Sequence, residues 1–326
     1  MRPPAFWFTP PAAPGAIARL LQPFGAVYAA ATARRTRQAG YKARVPVICI
    51  GNLNAGGTGK TPTAIVIAQR LTGQGQTVHI VSRGYGGTLA GPVKVDPVVH
   101  TAALVGDEPL LLAAFAPVWV ARDRAAGVQA AEGAGATVIL LDDGFQNPSV
   151  SKDASIVVVD ANAGFGNGLC IPAGPLREPV TAGLARASVL LSIGAPDLQT
   201  RFRSLWGHAI TLPHVTAALH PLAMGMPWAG SRVLAFAGIG HPDKFYATLR
   251  ATGAKIVATK SLDDHQPLTD ALMSRLQAEA LALGAQLVTT EKDAVRLPAA
   301  FRAQVLTLPV RLEVDDWTAI DAILPG

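Results

Sequence analysis

The sequence is short of several things, and each shortage removes a class of explanation. Cysteine occurs twice in 326 residues, at Cys49 and Cys170. Two thiols so placed make neither a disulfide framework nor a metal site, and a reducing cytoplasm is the default. Charged residues make up only 15% of the chain against 50% hydrophobic. That excludes a disordered polyelectrolyte and points to a globular protein with buried sheets or a membrane surface. Acid is absent from residues 1–44, which carry Arg2, Arg19, Arg34, Arg35, Arg37, Lys42 and Arg44. The net charge of +6 is therefore the property of one segment, and the rest of the chain is left at about −1. Charge so localised is not the basic groove of a nucleic-acid binder, and no nucleic-acid partner is expected. A membrane-spanning run is missing too. The uncharged stretch 20–33 is 14 residues long, against the roughly 20 that a span requires. Most of the arginines follow it, the reverse of an export signal. There is no internal repeat and no low-complexity tract.

What the N-terminal segment does contain is a helical pattern. Ile17, Leu20, Leu21, Phe24, Val27, Tyr28 and Ala31 recur at helical spacing, with Trp7 and Phe8 ahead and the basic cluster behind. Such a helix can lie in the headgroup layer with its cations drawn to anionic lipid, or it can pack on its own domain. Pro23 allows a kink or restart within it.

From residue 45 onward, apolar runs alternate with helical segments. "VPVICIG", "TVHIVSRG", "VWVARD", "ATVILLDDG", "ASIVVVDA" and "ASVLLSIG" are continuous and β-branched, the pattern of parallel strands covered on both faces. They predict one α/β unit ending near residue 205. "HAITLPHVTAALHPL" and "QVLTLPVRLEV" are expected to pair as a two-stranded connection. "SRVLAFAGIG", "AKIVATKSL", the helical "LTDALMSRLQAEALALG" and "AQLVTTEKD" between them make a second, smaller α/β unit.

Chemistry enters at "VPVICIGNLNAGGTGKTPTA", a strand, a glycine-rich turn and a helix in that order. The backbone N–H groups of Gly56, Gly57, Thr58 and Gly59, backed by a helix N-terminus, suit phosphate oxygens. Lys60 would reach the β- and γ-phosphates, and the Thr61 hydroxyl would ligate Mg²⁺. Asn54 stands where the general P-loop has glycine, and Ala55 where the deviant-loop ATPases carry a lysine. "ATVILLDDGFQ" supplies Asp142 and Asp143 at the C-terminal end of a strand, where a carboxylate meets Mg²⁺ directly or through water; capping the next helix is the alternative. Asp107 and Glu108 precede an apolar helix and can serve as dipole partners only. His265, beside two acids, can be a surface-loop residue. Arg83, Arg122, Arg124 and Arg177 follow strands or lie in loops where arginine could clamp an anionic substrate.

"GNLNAGGTGKTP", "SRGYGG", "GDEP", "ARDR", "DDGFQ", "PAGPLREP", "AGIGHPDKF", "DDH" and "TEKDAVRL" occur in that order between about residues 45 and 297. This set resembles the tetraacyldisaccharide 4′-kinase family. The resemblance implies two α/β/α domains with a cleft between them, joined by a two-stranded linker. The expected divisions are an N-terminal membrane-associated helix (1–44), a P-loop kinase domain (45–205), and linker strands with a smaller α/β domain (206–326). It implies ATP and Mg²⁺, and γ-phosphate transfer to the 4′-hydroxyl of a lipid A disaccharide 1-phosphate. The enzyme would sit peripherally on the cytoplasmic face of the inner membrane, with no obligate protein partner. Asp107 resembles the family's catalytic base and His265 its partner from the second domain, while Gln146 is expected to help order the metal site. Arg83, Arg122 and Arg177 are expected to meet the 1-phosphate or the transferred charge. Asn147 departs from the histidine often found there. The rival readings are a membrane-recruited ATPase switch and a non-enzymatic nucleotide-binding scaffold.

Overall fold

The β-branched runs become strands because none has a polar face to leave in water. In the computed structural model, which describes residues 3–223 and 225–325, the strands begin with β1 (Val47–Gly51), β2 (Val78–Ser82), β3 (Val93–Lys94), β4 (Val118–Val120), β5 (Val138–Asp142), β6 (Ala154–Asp160), β7 (Val189–Ile193) and β8 (His214–Pro221). They continue with β9 (Arg232–Ala237), β10 (Lys255–Ser261), β11 (Gln286–Thr290), β12 (Val305–Leu308) and β13 (Val310–Val314). Among the described residues they form a nine-stranded sheet, ordered β13-β8-β7-β6-β1-β5-β2-β4-β3, and a four-stranded sheet, ordered β10-β9-β11-β12. The large sheet is parallel except for its two edges, β13 and β3. The short edge strand β3 was not foreseen from sequence.

Every residue of β1, β2, β5, β6 and β7 is buried. Alternate residues feed two separate cores: Ile48 and Ile50 pack on one face with Leu140 and Val158, while Val47 and Cys49 pack on the other with Leu141 and Val159. The four-stranded sheet repeats the arrangement, with Val233 and Ala235 on one side and Leu234 and Phe236 on the other. Burial of such side chains on both faces, at about 1.5–3 kcal/mol each, is what holds strands without a hairpin to join them.

"QVLTLPVRLEV" does not behave as one strand. Pro309 splits it: β12 pairs with β11 in the small sheet and β13 pairs with β8 in the large one. A proline lacks the N–H that a continuing ladder needs, so the chain changes sheets there. The other crossing runs from β8 to β9, and the Leu222 N–H donates to the Pro309 carbonyl at 2.9 Å, tying the two crossings together. The expected pairing of the two connecting segments is thus present as β8 with β13. That pair is no free-standing link, because β8 is also hydrogen-bonded to β7.

One continuous helix, Gly15–Thr36, runs through Pro23 with neither a break nor a restart. It rests on the body through its small residues Ala18, Gly25 and Thr32. A Cβ at Gly25 would stand 2.8 Å from the Cys170 carbonyl oxygen, so glycine lets the backbones touch. Ile17, Leu20, Phe24 and Val27 point the other way, with Leu20 76% exposed and Val27 71%. No described helix is long and apolar enough to cross a membrane.

Candidate active site

Strand β1 ends at Gly51, and the turn after it is built by its asparagines. Asn52 is fully buried and donates through Nδ2 to the Gly56 carbonyl at 3.1 Å. Asn54, the residue that breaks the general loop pattern, donates through Nδ2 to the Gly164 carbonyl at 3.0 Å, and the Ala55 N–H donates to the Pro175 carbonyl at 2.7 Å. The loop is therefore pinned to two neighbouring segments instead of relying on a third glycine. Gly59 has φ of +97°, where a side chain would be strained, and a Cβ there would also displace Ile193 Cδ1, 2.5 Å away. The helix Lys60–Gly73 starts immediately after it, aiming its free N–H groups and dipole into the cleft. Pro62 falls in the first turn, where a missing N–H costs nothing. Thr58 is buried with no hydrogen-bond partner for its hydroxyl among the described residues.

Asp142 and Asp143 end β5, the neighbour of β1, with Ile50 paired to Asp142. Their environments differ. Asp142 is buried and Oδ2 accepts from Ser82 Oγ at 3.0 Å. Oδ1 is buried with no hydrogen-bond partner among the described residues. Burial, followed by the nearby carboxylates of Glu108 and Asp143, pushes the Asp142 carboxyl up to about 7. Asp143, at φ of +52°, faces Arg177 at 2.9 and 3.4 Å and Lys60 at 3.7 Å. Burial works against its ionisation too, yet Lys60, Arg177 and Arg124 together hold it below the usual carboxylate range. The buried Arg124 donates to the carbonyls of Asp143 at 2.7 Å and Asp142 at 3.4 Å, bracing the turn.

A buried carboxylate oxygen without a donor, beside a phosphate loop and the Thr61 hydroxyl, fits a cation. Among the described residues no group of three or more His, Cys, Asp or Glu could hold a metal alone. That suits Mg²⁺, which takes one or two carboxylates and completes its sphere with water and phosphate oxygens. Gln146 is engaged differently: Nε2 donates to the Asn52 carbonyl at 2.8 Å and to Glu178 at 3.0 Å, while Oε1 faces Arg177 at 3.4 Å. It braces the loop.

Across the cleft, Gly106, at φ of +90°, turns the chain where a Cβ would stand 2.6 Å from the Tyr85 carbonyl oxygen. The short helix Asp107–Leu112 follows. Asp107 is buried, and His265 straddles its carboxylate, with Nδ1 3.1 Å from Oδ1 and 3.0 Å from Oδ2. Oδ2 is buried and makes no directional hydrogen bond among the described residues. Lys292 Nζ lies 3.2 Å from Glu108, 3.4 Å from His265 Nε2 and 4.0 Å from Asp107, and Arg296 Nε lies 3.8 Å from Asp107. Burial opposes charge on Asp107, but His265, Lys292 and Arg296 hold its carboxyl below the usual range. The hydrogen bond to Asp107 raises His265 in turn, against burial and Lys292.

One cleft of about 1040 Å³ joins these parts. Lys60, Thr61, Asp142, Asp143, Arg177 and His265 line it, as do Gln146, the glycine loop and Arg83, with Asp107 just behind the wall. Arg122 lies outside the lining and donates to the Thr88 carbonyl at 3.1 Å; of the two arginines in "ARDR" it is Arg124 that faces the cleft. The alternation of that strand end gave no means of choosing between them. Sequence reasoning also gave no role to Lys292 and Arg296 of "TEKDAVRL", or to Lys244 of "AGIGHPDKF", which pairs with buried Asp160 across the cleft. Only the folding of the small sheet against the large one brings these within reach.

The sequence profile of the Tetraacyldisaccharide-1-P 4′-kinase family matches residues 17–325. This chain belongs to that family. A Tetraacyldisaccharide 4′-kinase from Dinoroseobacter shibae is 65% identical to it over 99% of this chain and 97% of its own length. Another from Jannaschia sp. is 60% identical over 99% and 98%. Among solved structures, that of LpxK from Aquifex aeolicus, in complex with ATP, superposes with a TM-score of 0.75 at 24% identity, covering 94% of this chain and 98% of that one. The mixed α/β architecture with parallel sheets is the fold these two family members share.

Proposed function

We propose that this protein transfers the γ-phosphate of ATP to the 4′-hydroxyl of a tetraacyldisaccharide 1-phosphate. The observation that carries the reading is the meeting, in one cleft, of a phosphate loop ending in Lys60 and a buried carboxylate, Asp107, engaged by His265 from the opposite wall.

Phosphoryl transfer asks a protein mainly to position its substrates and neutralise charge. The loop amides and Lys60 hold the β- and γ-phosphates. Thr61 with Asp142 or Asp143 would hold Mg²⁺, which would supply charge neutralisation on those phosphates. Asp107 takes the proton of the sugar hydroxyl through Oδ2 as the new O–P bond forms and the bond to the leaving ADP oxygen breaks. With its carboxyl held below the usual range, Asp107 is ionised and able to do so across the physiological range. His265 orients it, and Lys292 keeps Glu108 and the imidazole in register. Gln146 and Arg124 keep the loop and the Asp142–Asp143 turn in place, and Arg83 is left to face transferred charge.

We further infer that the large and small sheets act as two lobes, 45–221 with 310–325 against 222–309, closing over ATP to exclude water. The exposed row Ile17, Leu20, Phe24 and Val27 is an apolar face with nothing over it among the described residues. Set beside the arginines of the same helix, it supports seating in the headgroup layer of the inner membrane's cytoplasmic face, where a lipid acceptor is concentrated. Replacing Leu20 and Phe24 together by Glu should weaken sedimentation with anionic vesicles; unchanged binding would remove this part of the reading.

Purified protein incubated with radiolabelled ATP, Mg²⁺ and the disaccharide 1-phosphate should yield labelled lipid. Release of inorganic phosphate without labelled lipid would instead establish an ATPase switch, and the absence of any turnover a nucleotide-binding scaffold.

A further inference from the structure

Most cations that face the cleft are already engaged. Lys60 and Arg177 meet Asp143, Arg124 holds backbone carbonyls, Lys244 meets Asp160, and Lys292 meets Glu108. Two arginines remain in the lining, Arg83 and Arg35, whose side chains make no ion pair or hydrogen bond among the described residues. They stand in different places. Arg83 follows Ser82, whose hydroxyl is bonded to Asp142, so it belongs to the reacting end. Arg35 sits in the last turn of the helix Gly15–Thr36.

That helix and the Asp107 helix lie on opposite faces of the large sheet. Tyr28 and Ala29 pack into the core that contains Val47 and Cys49, whereas Leu110 and Leu112 pack into the core that contains Ile48 and Ile50. The cleft crosses the strand ends between these two layers. Tyr28 lines it together with Arg35; seven residues apart, they lie two turns from one another on one side of the helix. Asn147 and Pro148, which line the same end, bring no charge, and Asn147 is turned to its own loop, accepting from the Ser149 N–H at 2.8 Å. An acceptor whose reacting hydroxyl lies at Asp107 and whose body spans the sheet edge therefore presents its far end to a single unpaired guanidinium.

We propose that Arg35 binds the 1-phosphate of the acceptor, so that the helix that seats on the membrane also captures the substrate's distant anion. The assignment rests on the kinase reading above for the identity of the acceptor. An unpaired arginine at the rim of a cleft suits a phosphate dianion through its bidentate geometry, and Arg35 needs to break no contact to reach one. Neighbouring Arg34 and Arg37 are exposed, as Arg35 is, but unlike Arg35 they do not line the cleft; they serve as controls.

The test compares two lipids, the tetraacyldisaccharide 1-phosphate and the same lipid with a free 1-hydroxyl, by equilibrium binding in uncharged detergent micelles. Wild-type protein should prefer the phosphorylated lipid by about 10- to 100-fold, the range of a charge-assisted pair. Arg35→Ala should bring that preference close to unity, with ATP binding unchanged; Arg35→Lys should restore part of it, and Arg34→Ala should leave it intact. A preference that survives in Arg35→Ala, that is absent from the wild type, or that Arg34→Ala removes equally would overturn the assignment. Turnover is read separately. If binding behaves as expected and no phosphate reaches the lipid, the kinase reading fails while the Arg35 contact stands.

Discussion

The two acidic pairs of the cleft are a natural experiment. Asp142–Asp143 and Asp107–Glu108 are both adjacent acids beside a phosphate loop, yet they are assembled differently. The first pair is completed within the large sheet, by Ser82, Lys60, Arg124 and Arg177. The second has its cations delivered by the small sheet, from a histidine 158 residues away and from Lys292 and Arg296. Asp142, with a hydroxyl and no cation in contact, is pushed up to about 7, while Asp107, buried as deeply, is held low. Burial alone thus does not decide whether an acid is charged; the partner that burial brings does. One pair keeps a carboxyl raised by burial with no cation bonded to it among the described residues, and the other is held ionised by its cations.

The largest effect should come from breaking the second pair at its centre. Asp107→Ala should lower kcat by about 10³-fold, within the range for a general base, while leaving ATP affinity within about two-fold. Lys60→Ala should show the opposite division, with ATP binding weakened along with turnover. Steady-state kinetics alongside direct nucleotide binding separates the two. Turnover within a few-fold of wild type in Asp107→Ala would rule out that residue as the base.

His265→Ala should cost less, roughly 10- to 100-fold in kcat, because the carboxylate keeps Lys292 and Arg296 and loses only its orienting partner. It also carries a pH dependence. Asp107 is lowered from 3.8, so its contribution to stability is present above that value and lost as pH falls through its folded pKa. His265 is raised from 6.5, so its contribution is full below 6.5 and lost as pH rises through its folded pKa. The contact between the sheets is strongest between those reference values. The thermal midpoint should accordingly fall more on His265→Ala at pH 6 than at pH 8.5. An equal fall at both pH values would show that folding does not raise the pKa of the imidazole.

The same division explains what could be read before the structure. The strands of the large sheet were legible because burial on both faces leaves an unbroken β-branched run, and the phosphate loop because its parts are contiguous. Asn54 was legible only as a broken rule; its bond to the Gly164 carbonyl depends on a segment 110 residues away. The splitting of "QVLTLPVRLEV" at Pro309 was not legible, since an alternating pattern says which face is apolar and not which sheet receives it. Nor did the pattern of "ARDR" show that Arg124, and not Arg122, faces the cleft. The outward direction of Ile17, Leu20, Phe24 and Val27 was open until small residues were seen to form the packed side of that helix.

The smallest effect is expected at a half-exposed contact across the cleft, Lys244 with Asp160. Lys244 is half-exposed, and an exposed pair contributes only about 0–1 kcal/mol. Asp160 stays partly satisfied without it, because Oδ1 accepts from the Asn162 N–H at 3.1 Å. Lys244→Ala should therefore change kcat with lipid by less than about three-fold. Its consequence should lie elsewhere: if the two lobes close over ATP as proposed, losing a pair that bridges the cleft should admit water to the γ-phosphate. ATP hydrolysis measured without lipid should rise, by roughly two- to five-fold if the pair is worth the upper part of that range. No rise would mean that the cleft excludes water without the Lys244–Asp160 pair, through the remaining contacts around Asp107 and between Arg311 and Glu291.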